Sequence, residues 1–165
     1  MSIEVKAAEE KDLPAILEII NYEIRHSTAI YDYEERSPEA QREWLQQKQQ
    51  EHMPVLVAVL EGQVLGFGTY GTFRPKVGYR FCVEHSVYVS ENARGKGAGS
   101  VLMEALIQSA KQQGLHSMIA GIDAANQSSY DFHIKFGFEE VGRLKEVGYK
   151  FDQWLDLVFM QLLLK

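Results

Sequence analysis

The chain has 165 residues, of which 45% are hydrophobic and 24% are charged, and its formal net charge at pH 7 is -6. These values are ordinary for a globular protein, and the length suits one domain over residues 1–165 that buries its own core. A negative chain argues against a nucleic-acid partner, because coating nucleic acid needs a broad basic face. Cys82 is the only cysteine, so neither an intramolecular disulfide nor a cysteine-based metal cluster is expected, and no metal is predicted.

The N-terminal residues contain no charged region followed by an apolar stretch, which a secretory signal would need. No apolar run approaches the roughly 20 residues that a membrane-spanning helix requires. The sequence therefore predicts a cytoplasmic location and no membrane partner.

The first third of the chain is predicted to form a short strand and two helices. Alternation over residues 3–6 predicts the strand, and apolar residues at helical spacing over residues 13–24 predict the first helix, with Pro14 in its first turn. Ser37 is predicted to cap the second helix. Residues 21–33 break the helical pattern and are expected to connect the two helices at the surface.

A hairpin and an irregular loop are predicted next. Residues 55–60 and 64–70 are apolar runs that flank a Glu-Gly turn, which is typical of two paired strands. The following loop over residues 71–80 is too rich in Gly and Pro for regular structure. It carries three cations that could meet an anionic group, namely Arg74, Lys76 and Arg80.

A strand, a loop with a helix, and a second strand then follow one another. They are predicted over residues 81–89, 94–113 and 116–122, with Gly114 at the end of the helix. Because crossover connections of this kind are right-handed and join parallel strands, we expect the two strands to be parallel neighbours.

The last part of the chain is predicted to hold a short helix and two strands. The helix begins at Asn126 and ends at Gly137, and the strands cover residues 139–147 and 154–164. The last strand is apolar without a clean alternation, so we expect both of its faces to be buried. The sequence predicts residues 148–153 as the connection between the two strands.

The loop before the central helix has the composition of an anion-binding site. Three glycines, Gly95, Gly97 and Gly99, allow the backbone to come close to a ligand, and the helix that begins there offers unpaired N–H groups. Arg94 and Lys96 add positive charge at the same place, so a pyrophosphate is the expected ligand.

Two nucleotide-binding motifs are excluded by register. A P-loop needs glycine five residues before Gly95, where Ser90 lies, and Ser or Thr after Lys96, where Gly97 lies. A dinucleotide-binding fingerprint needs its third glycine one residue later than Gly99.

The loop does match the pattern Arg-x-x-Gly-x-Gly, formed by Arg94, Gly97 and Gly99, after the strand Glu-His-Ser-Val-Tyr-Val of residues 84–89. This arrangement resembles the acetyl-CoA motif of the GNAT N-acetyltransferases, and the strand resembles their phosphinothricin acetyltransferase-like branch. Asn126 followed by His133 and by Gly137-Phe138 is a further match, and the resemblance covers essentially the whole chain. It implies a mixed α/β (α+β) fold, with a central sheet of about seven strands flanked by about four helices.

The resemblance implies how acetyl-CoA would be bound. The strand backbone at Val87, Tyr88 and Val89 would pair with the pantetheine arm, and Asn126 would bind the arm from the other side. Backbone N–H groups of the loop and helix start would take the pyrophosphate, from Gly95, Lys96, Gly97, Ala98, Gly99 and Ser100. Lys135 would lie near the phosphates of the nucleotide. The alternatives are a helix cap for Asn126 and a solvated surface lysine for Lys135.

Acetyl transfer to an amine needs a group that removes a proton from the ammonium. Glu84 is the candidate base, because it is a charged residue in an apolar strand next to the cofactor segment, where burial would raise its pKa. The alternative is an ion pair of Glu84 with Arg74 or Arg80.

Other residues are expected near the amine substrate. His85 alternates to the other sheet face from Glu84 and is either a structural histidine or a second base, while Ser86 returns to the face of Glu84 and contacts the substrate or only its neighbours. The resemblance places Arg74, Pro75 and Lys76 at the substrate, where an arginine would suit a carboxylate. It also implies that the region of the connection between the first two helices and of the second helix forms a wall of the substrate pocket, the alternative being ordinary packing of Tyr31 and Trp44.

Two positions depart from the family pattern. The family often has a tyrosine general acid seven residues after the Asn, but His133 lies there, as in the phosphinothricin-like branch, so no general acid is assigned. Asp152 replaces a usual glycine, which alters backbone freedom and adds a negative charge beside the expected pocket.

The resemblance predicts an N-acetyltransferase that moves acetyl from acetyl-CoA to the amino group of a small amino-acid-like compound, of the phosphinothricin, methionine sulfoximine or methionine sulfone class. The alternatives are a polyamine or protein N-terminus as acceptor, and a non-catalytic acyl-CoA-binding module. Arg74 and Lys76 argue against a polyamine. The resemblance also suggests a homodimer formed through the C-terminal strands.

Overall fold

The computed structural model describes residues 2–165 and contains seven strands and four helices. Their order along the chain is the predicted one, β-α-α-β-β-β-α-β-α-β-β, and the mixed α/β fold is confirmed. The strands are β1 (Glu4–Ala7), β2 (Val55–Leu60), β3 (Gln63–Thr72), β4 (Cys82–Val89), β5 (Ser117–Asp123), β6 (Glu139–Lys150) and β7 (Gln153–Leu163). The helices are α1 (Leu13–His26), α2 (Pro38–Gln50), α3 (Ala98–Gln112) and α4 (Gln127–Lys135).

The strands form one sheet in the order β1-β2-β3-β4-β5-β7-β6. β4 and β5 are parallel, as predicted from the crossover through α3, and the other neighbouring strands are antiparallel. The pairing of β4 with β5 covers only Cys82–Glu84 and Ser117–Ile119. The central pair of strands is therefore joined at one end and unpaired at the other.

Local signals set the helix ends. Pro14 lies in the first turn of α1, and the Ser37 hydroxyl accepts a hydrogen bond of 3.1 Å from the backbone N–H of Ala40 at the start of α2. Gly114 follows α3 with φ of +74°, which glycine adopts without strain. These three predictions are confirmed. No helix in residues 2–165 is both long enough and apolar enough to cross a membrane.

The sheet has a core on each face. α1 and α2 cover one face, where Ile16 and Ile20 pack with Phe67 of β3. α3 and the strands next to it form the core of the other face, where Leu106 packs with Met118 and Met160. Alternating side chains of the central strands therefore enter two different hydrophobic cores, one on each face of the sheet.

The connection between β6 and β7 is shorter than predicted. Residues 148–150 pair with residues 155–153, so that only Phe151 and Asp152 remain as the turn, with φ of +53° and +60°. Two-residue hairpin turns favour this left-handed conformation, and they usually carry Asn or Gly. The turn was missed because neither residue gives that signal.

The prediction that β7 is buried on both faces is wrong. Leu155, Val158 and Met160 are buried, but Trp154 is 63% exposed and Leu163 is 49% exposed. The apolar composition of β7 suggested complete burial. The structure shows instead that β6 and β7 carry exposed apolar side chains at this edge of the sheet.

Candidate active site

A cleft opens where β4 and β5 separate. The last paired residues are Glu84 and Ile119, and beyond them the two strands enclose a cleft of about 780 Å³. Residues 86–89 form one side, residues 120–123 form the other, and the loop before α3 and the start of α4 close the ends. Because this part of each strand lacks its neighbour, main-chain groups of both strands are left for another partner.

The loop at the mouth of the cleft has the backbone that an anion-binding site needs. Gly95 and Gly97 have φ of +81° and +91°, and a Cβ at either position would meet nothing within 4 Å. Within residues 2–165 no side chain caps α3, and its first main-chain hydrogen bond is donated by the Val101 N–H to the Gly97 oxygen. The first N–H groups of α3 therefore face the cleft mouth with the positive end of the helix dipole.

Gly99 plays a different part from the other two glycines. Its backbone does not have positive φ, and a Cβ there would lie 3.7 Å from Phe132 and from Val89, which is ordinary contact. Gly95 and Gly97 thus shape the loop, whereas Gly99 needs glycine neither for its φ nor for steric reasons within the protein.

Most of the residues predicted to bind the cofactor lie around this cleft. Its lining includes Val87, Tyr88, Val89, Gly95, Gly97, Ala98, Gly99, Ser100 and Asn126. Lys96 and Lys135 do not line it. Lys96 lies on a smaller neighbouring cavity, and Lys135 is an exposed residue at the end of α4. Cofactor binding remains a prediction for these two lysines and for the residues that line the cleft.

Asn126 is a helix cap, the alternative function considered for it. Its Oδ1 accepts hydrogen bonds from the Ser129 N–H at 3.2 Å and from the Ser128 hydroxyl at 3.1 Å. Its side chain also lines the cleft, and capping uses only the oxygen of the amide. The cap therefore leaves the Nδ2 donor for a ligand in the cleft.

A buried carboxylate beside the loop was missed by sequence analysis. Glu23 of α1 is buried, and its Oε1 accepts a 2.9 Å hydrogen bond from Nη2 of Arg94. Its Oε2 accepts a hydrogen bond from the Ser27 hydroxyl. Because all three residues line the cleft, this network holds the Arg94 guanidinium at its mouth. The available signal was a charged residue on the apolar stripe of α1, next to Ile20 and Ile24.

Glu84 is the last residue of β4 that pairs with β5, and it is not among the residues that line the cleft. Its Oε2 is 3.0 Å from the place that a Cβ would occupy on Gly121, the second residue of β5 beyond the pairing. Leu157 and Phe159 of β7 flank the same place. Burial raises the pKa of the Glu84 carboxyl, and the nearby Arg74 charge partly offsets this increase. The side chain nevertheless remains open to solvent.

His85 points to the opposite face of the sheet, as the strand alternation predicts. Its Nε2 is 3.0 Å from Nε2 of His133, and Nδ1 of His133 is 2.6 Å from the Ser129 carbonyl oxygen. His133 must therefore donate through Nδ1 and accept through Nε2, so His85 donates through Nε2 and keeps Nδ1 unprotonated. Burial lowers the pKa of His85 to about 3. A buried imidazole with so low a pKa is a weak base, which favours the structural interpretation of His85 over a second base.

The predicted substrate residues do not all come together. Arg74 lies on the Glu84 side, with its guanidinium 5.1 Å from the centre of the Phe73 ring, and Phe73 in turn meets Phe159 edge-on. His85 and Ser86 line the β4–β5 cleft. Pro75 and Lys76 are exposed on the loop before a turn of 3₁₀ helix.

Asp152 lies away from the cleft. It is exposed at the tip of the hairpin between β6 and β7, and it is not among the residues that line the cleft. Its effect on backbone freedom is therefore local to the turn, where its φ is +60°.

Comparisons with known proteins agree with this geometry. Residues 20–138 match the Acetyltransferase (GNAT) family. The chain is 44% identical to the L-methionine sulfoximine/L-methionine sulfone acetyltransferase of Pseudomonas aeruginosa, over 98% of this chain and 95% of that protein. It is 32% identical to the phosphinothricin N-acetyltransferase of Streptomyces coelicolor, over 96% of this chain and 95% of that protein.

A solved structure of a relative has the same fold. An acetyltransferase from Salmonella typhimurium, determined with its cofactor acetyl-CoA, is 38% identical and superimposes with a TM-score of 0.97. The match covers all of this chain and 95% of the other. The resemblance inferred from the sequence is confirmed by these matches. The chain therefore belongs to the GNAT acetyltransferase family.

Proposed function

We propose that the protein transfers acetyl from acetyl-CoA directly to the amino group of a small amino-acid-like compound. The observation that carries this proposal is the position of Glu84, which is the last paired residue of β4 and whose carboxylate lies beside Gly121, a residue of the cleft lining. The relatives named for methionine sulfoximine, methionine sulfone and phosphinothricin give the acceptor class.

The cleft fits the acetyl-CoA molecule from its mouth inwards. The open space at Gly95 and Gly97 and the first N–H groups of α3 suit the pyrophosphate, and Arg94 adds a guanidinium beside them. The unpaired main-chain groups of residues 86–89 suit the amides of the pantetheine arm, with Nδ2 of Asn126 on the other side. Acetyl-CoA bound in this way supplies an activated thioester.

Glu84 would act on the amine. An ammonium has no lone pair, so a base must remove a proton before the nitrogen can attack the thioester carbonyl. A carboxylate with a raised pKa is a better base than an ordinary glutamate, and its exposure to solvent allows transfer directly or through one water. Neither neutral histidine is needed for this step.

Arg74 would orient the acceptor. Its guanidinium is exposed and acts electrostatically on Glu84, so a molecule with a carboxylate next to its amino group could meet both residues. The same cation disfavours a polyamine. The leaving thiolate needs no obligatory acid, and no residue is assigned that function.

The test is release of free CoA from acetyl-CoA with purified protein and a panel of acceptors. The panel contains L-methionine sulfoximine, L-methionine sulfone, phosphinothricin, spermidine and a peptide with a free N-terminus. We expect release with the first three compounds and N-acetylated products by mass spectrometry. Turnover confined to spermidine or the peptide, or no turnover while acetyl-CoA still binds, would contradict the proposal and favour the alternatives.

We also propose a homodimer formed through β6 and β7. Its support is the exposed apolar surface at this edge, where Val141, Val147 and Trp154 are each more than half exposed. Sedimentation velocity should show a dimer that Trp154→Lys weakens, and a monomer at all concentrations would contradict this assignment. The cytoplasmic location also stays a prediction, to be tested by imaging a tagged protein.

A further inference from the structure

The loop between α1 and α2 is fastened to the hairpin of β6 and β7. Nζ of the buried Lys150 donates hydrogen bonds to the carbonyl oxygens of Ser27 at 2.7 Å and Ile30 at 2.5 Å. The Tyr33 hydroxyl donates to the carbonyl oxygen of Tyr149. The two bonds from Lys150 hold the chain just before Tyr31 against the end of the sheet, whereas Tyr33 is 65% exposed and water can replace its bond.

Tyr31 packs directly on Gly148. A Cβ at Gly148 would lie 3.0 Å from Cδ2 of the Tyr31 ring and 2.6 Å from Cε2, and real Cβ atoms essentially never show so short a distance as the second. The φ of Gly148 is not positive, so glycine is needed there for space and not for backbone conformation. The absence of a side chain at Gly148 thus leaves the space that the Tyr31 ring occupies.

The strand registers place Tyr31 on the face of the sheet that carries Glu84. Gly148 pairs with Leu155, and Leu157 follows Leu155 on the same face because side chains alternate along a strand. Leu157 in turn contacts the Gly121 position over which the Glu84 carboxylate lies. The Tyr31 ring therefore lies on the same face of the sheet as the Glu84 carboxylate.

The Tyr31 hydroxyl has no hydrogen-bonding partner within residues 2–165, although its oxygen is shielded from water. Burial, with smaller effects of Asp123 and Asp156, raises the pKa of this hydroxyl, so it remains a donor at neutral pH. Buried polar groups are rarely left unpaired, because an unpaired donor costs free energy. A bound ligand is one way to satisfy such a group.

We propose that the Tyr31 hydroxyl determines acceptor specificity by donating a hydrogen bond to an uncharged oxygen on the acceptor's side chain, such as an S=O oxygen. This inference rests on the proposed function, because it assumes an amino-acid-like acceptor with its amino group at Glu84. Asp123 lies two residues beyond Gly121 on the same face of β5, and its negative charge disfavours an anionic side chain. The sulfone and sulfoximine groups are therefore favoured over a phosphinate.

The test compares L-methionine sulfone with L-methionine, which lacks the two side-chain oxygens. Tyr31→Phe should lower the ratio of kcat/KM for sulfone over methionine about tenfold, with the KM for acetyl-CoA unchanged. Tyr33→Phe is the matched control, since it removes a hydroxyl from the same loop whose partner is a backbone carbonyl. It should leave the ratio unchanged.

A fall of more than about threefold in the sulfone-to-methionine ratio of kcat/KM for Tyr31→Phe alone supports the proposal. A smaller fall in this ratio, or an equal fall for Tyr33→Phe, overturns it. A wild-type preference for phosphinothricin over the sulfone would overturn the assignment of an uncharged side chain.

Calorimetry separates this proposal from the proposed function. Wild-type protein with saturating CoA should bind methionine sulfone more tightly than Tyr31→Phe does, whether or not acetyl transfer occurs. If the wild type binds the sulfone but transfers nothing, the proposed function fails while Tyr31 is still tested. If the wild type transfers acetyl but binds methionine sulfone no more tightly than Tyr31→Phe does, only the proposed role of Tyr31 is wrong.

Discussion

Replacing Glu84 by glutamine removes the base while keeping the size and most of the hydrogen-bonding capacity of the side chain. The amide has nearly the same size as the carboxylate and the side chain is open to solvent, so the substitution should leave folding largely unchanged. The substitution therefore tests chemistry and not folding. Acetyl-CoA should still bind, because the loop and helix start that would take its pyrophosphate do not involve Glu84.

The size of the effect follows from the exposure of Glu84. A positioned general base contributes about 100- to 10,000-fold to a rate. The Glu84 carboxylate is open to solvent, so water can partly replace it, and we expect the lower half of this range. A loss of about 100- to 1000-fold in kcat/KM corresponds to about 3 to 4 kcal/mol of transition-state stabilisation.

The assay is initial-rate release of CoA thiol between pH 5 and 9, with acetyl-CoA binding measured in parallel by calorimetry. In the wild type, kcat/KM should fall as the pH drops through the raised pKa of Glu84, because the protonated carboxyl accepts no proton. This limb should be absent in Glu84→Gln. Glu139→Gln, an exposed carboxylate on β6, is the control. The assignment is refuted if Glu84→Gln keeps more than one tenth of wild-type activity, or if its affinity for acetyl-CoA falls as much as its rate.

Three further substitutions test the cofactor site and the buried histidines. Gly97→Ala places a Cβ at φ of +91°, which costs about 1 to 2 kcal/mol, so calorimetry should show weaker binding of CoA, whereas Gly142→Ala, in open space without positive φ, should bind normally. Glu23→Gln should raise the Kd for CoA about threefold to tenfold, because Arg94 loses its charged partner, and an unchanged Kd would contradict this positioning role. The pKa of His85 is lowered from 6.5 to about 3 in the folded protein, so the stability that neutral His85 provides above pH 6.5 is lost as the pH falls toward 3. The free energy of unfolding in urea should therefore decrease by up to about 1.4 kcal/mol for each pH unit in this range, and His85→Gln should reduce this dependence.

Much of the fold could be predicted from local patterns. The apolar spacing of α1, the cap at Ser37 and the glycine after α3 act through neighbours in the sequence, so the helices were found with their ends close to the observed ones. The parallel pairing of β4 with β5 followed from the crossover rule. The hairpin of Phe151 and Asp152 was missed because its conformation is imposed by the pairing of distant residues in β6 and β7 and not by turn-forming residues.

The glycine loop and Glu84 could be identified from the sequence because residue types a few positions apart indicate their chemistry. Glycines in a basic loop indicate an anion site, and a carboxylate in an apolar strand is unusual enough to draw attention. The predictions of the cofactor segment and of the candidate base therefore rest on the sequence by itself, and so does the order of elements, which the structure confirms. Tertiary structure was not needed for any of these, since each depends on residues within one strand, loop and helix.

Only the tertiary structure decided which separate segments meet. It showed that β4 and β5 part after Glu84, that Glu23 of α1 reaches Arg94, and that Tyr31 packs on Gly148. These contacts join residues far apart in the chain, and they depend on how the sheet twists and how α1 and its loop lie across it. No local propensity encodes such distances, because they are set by packing of the whole core.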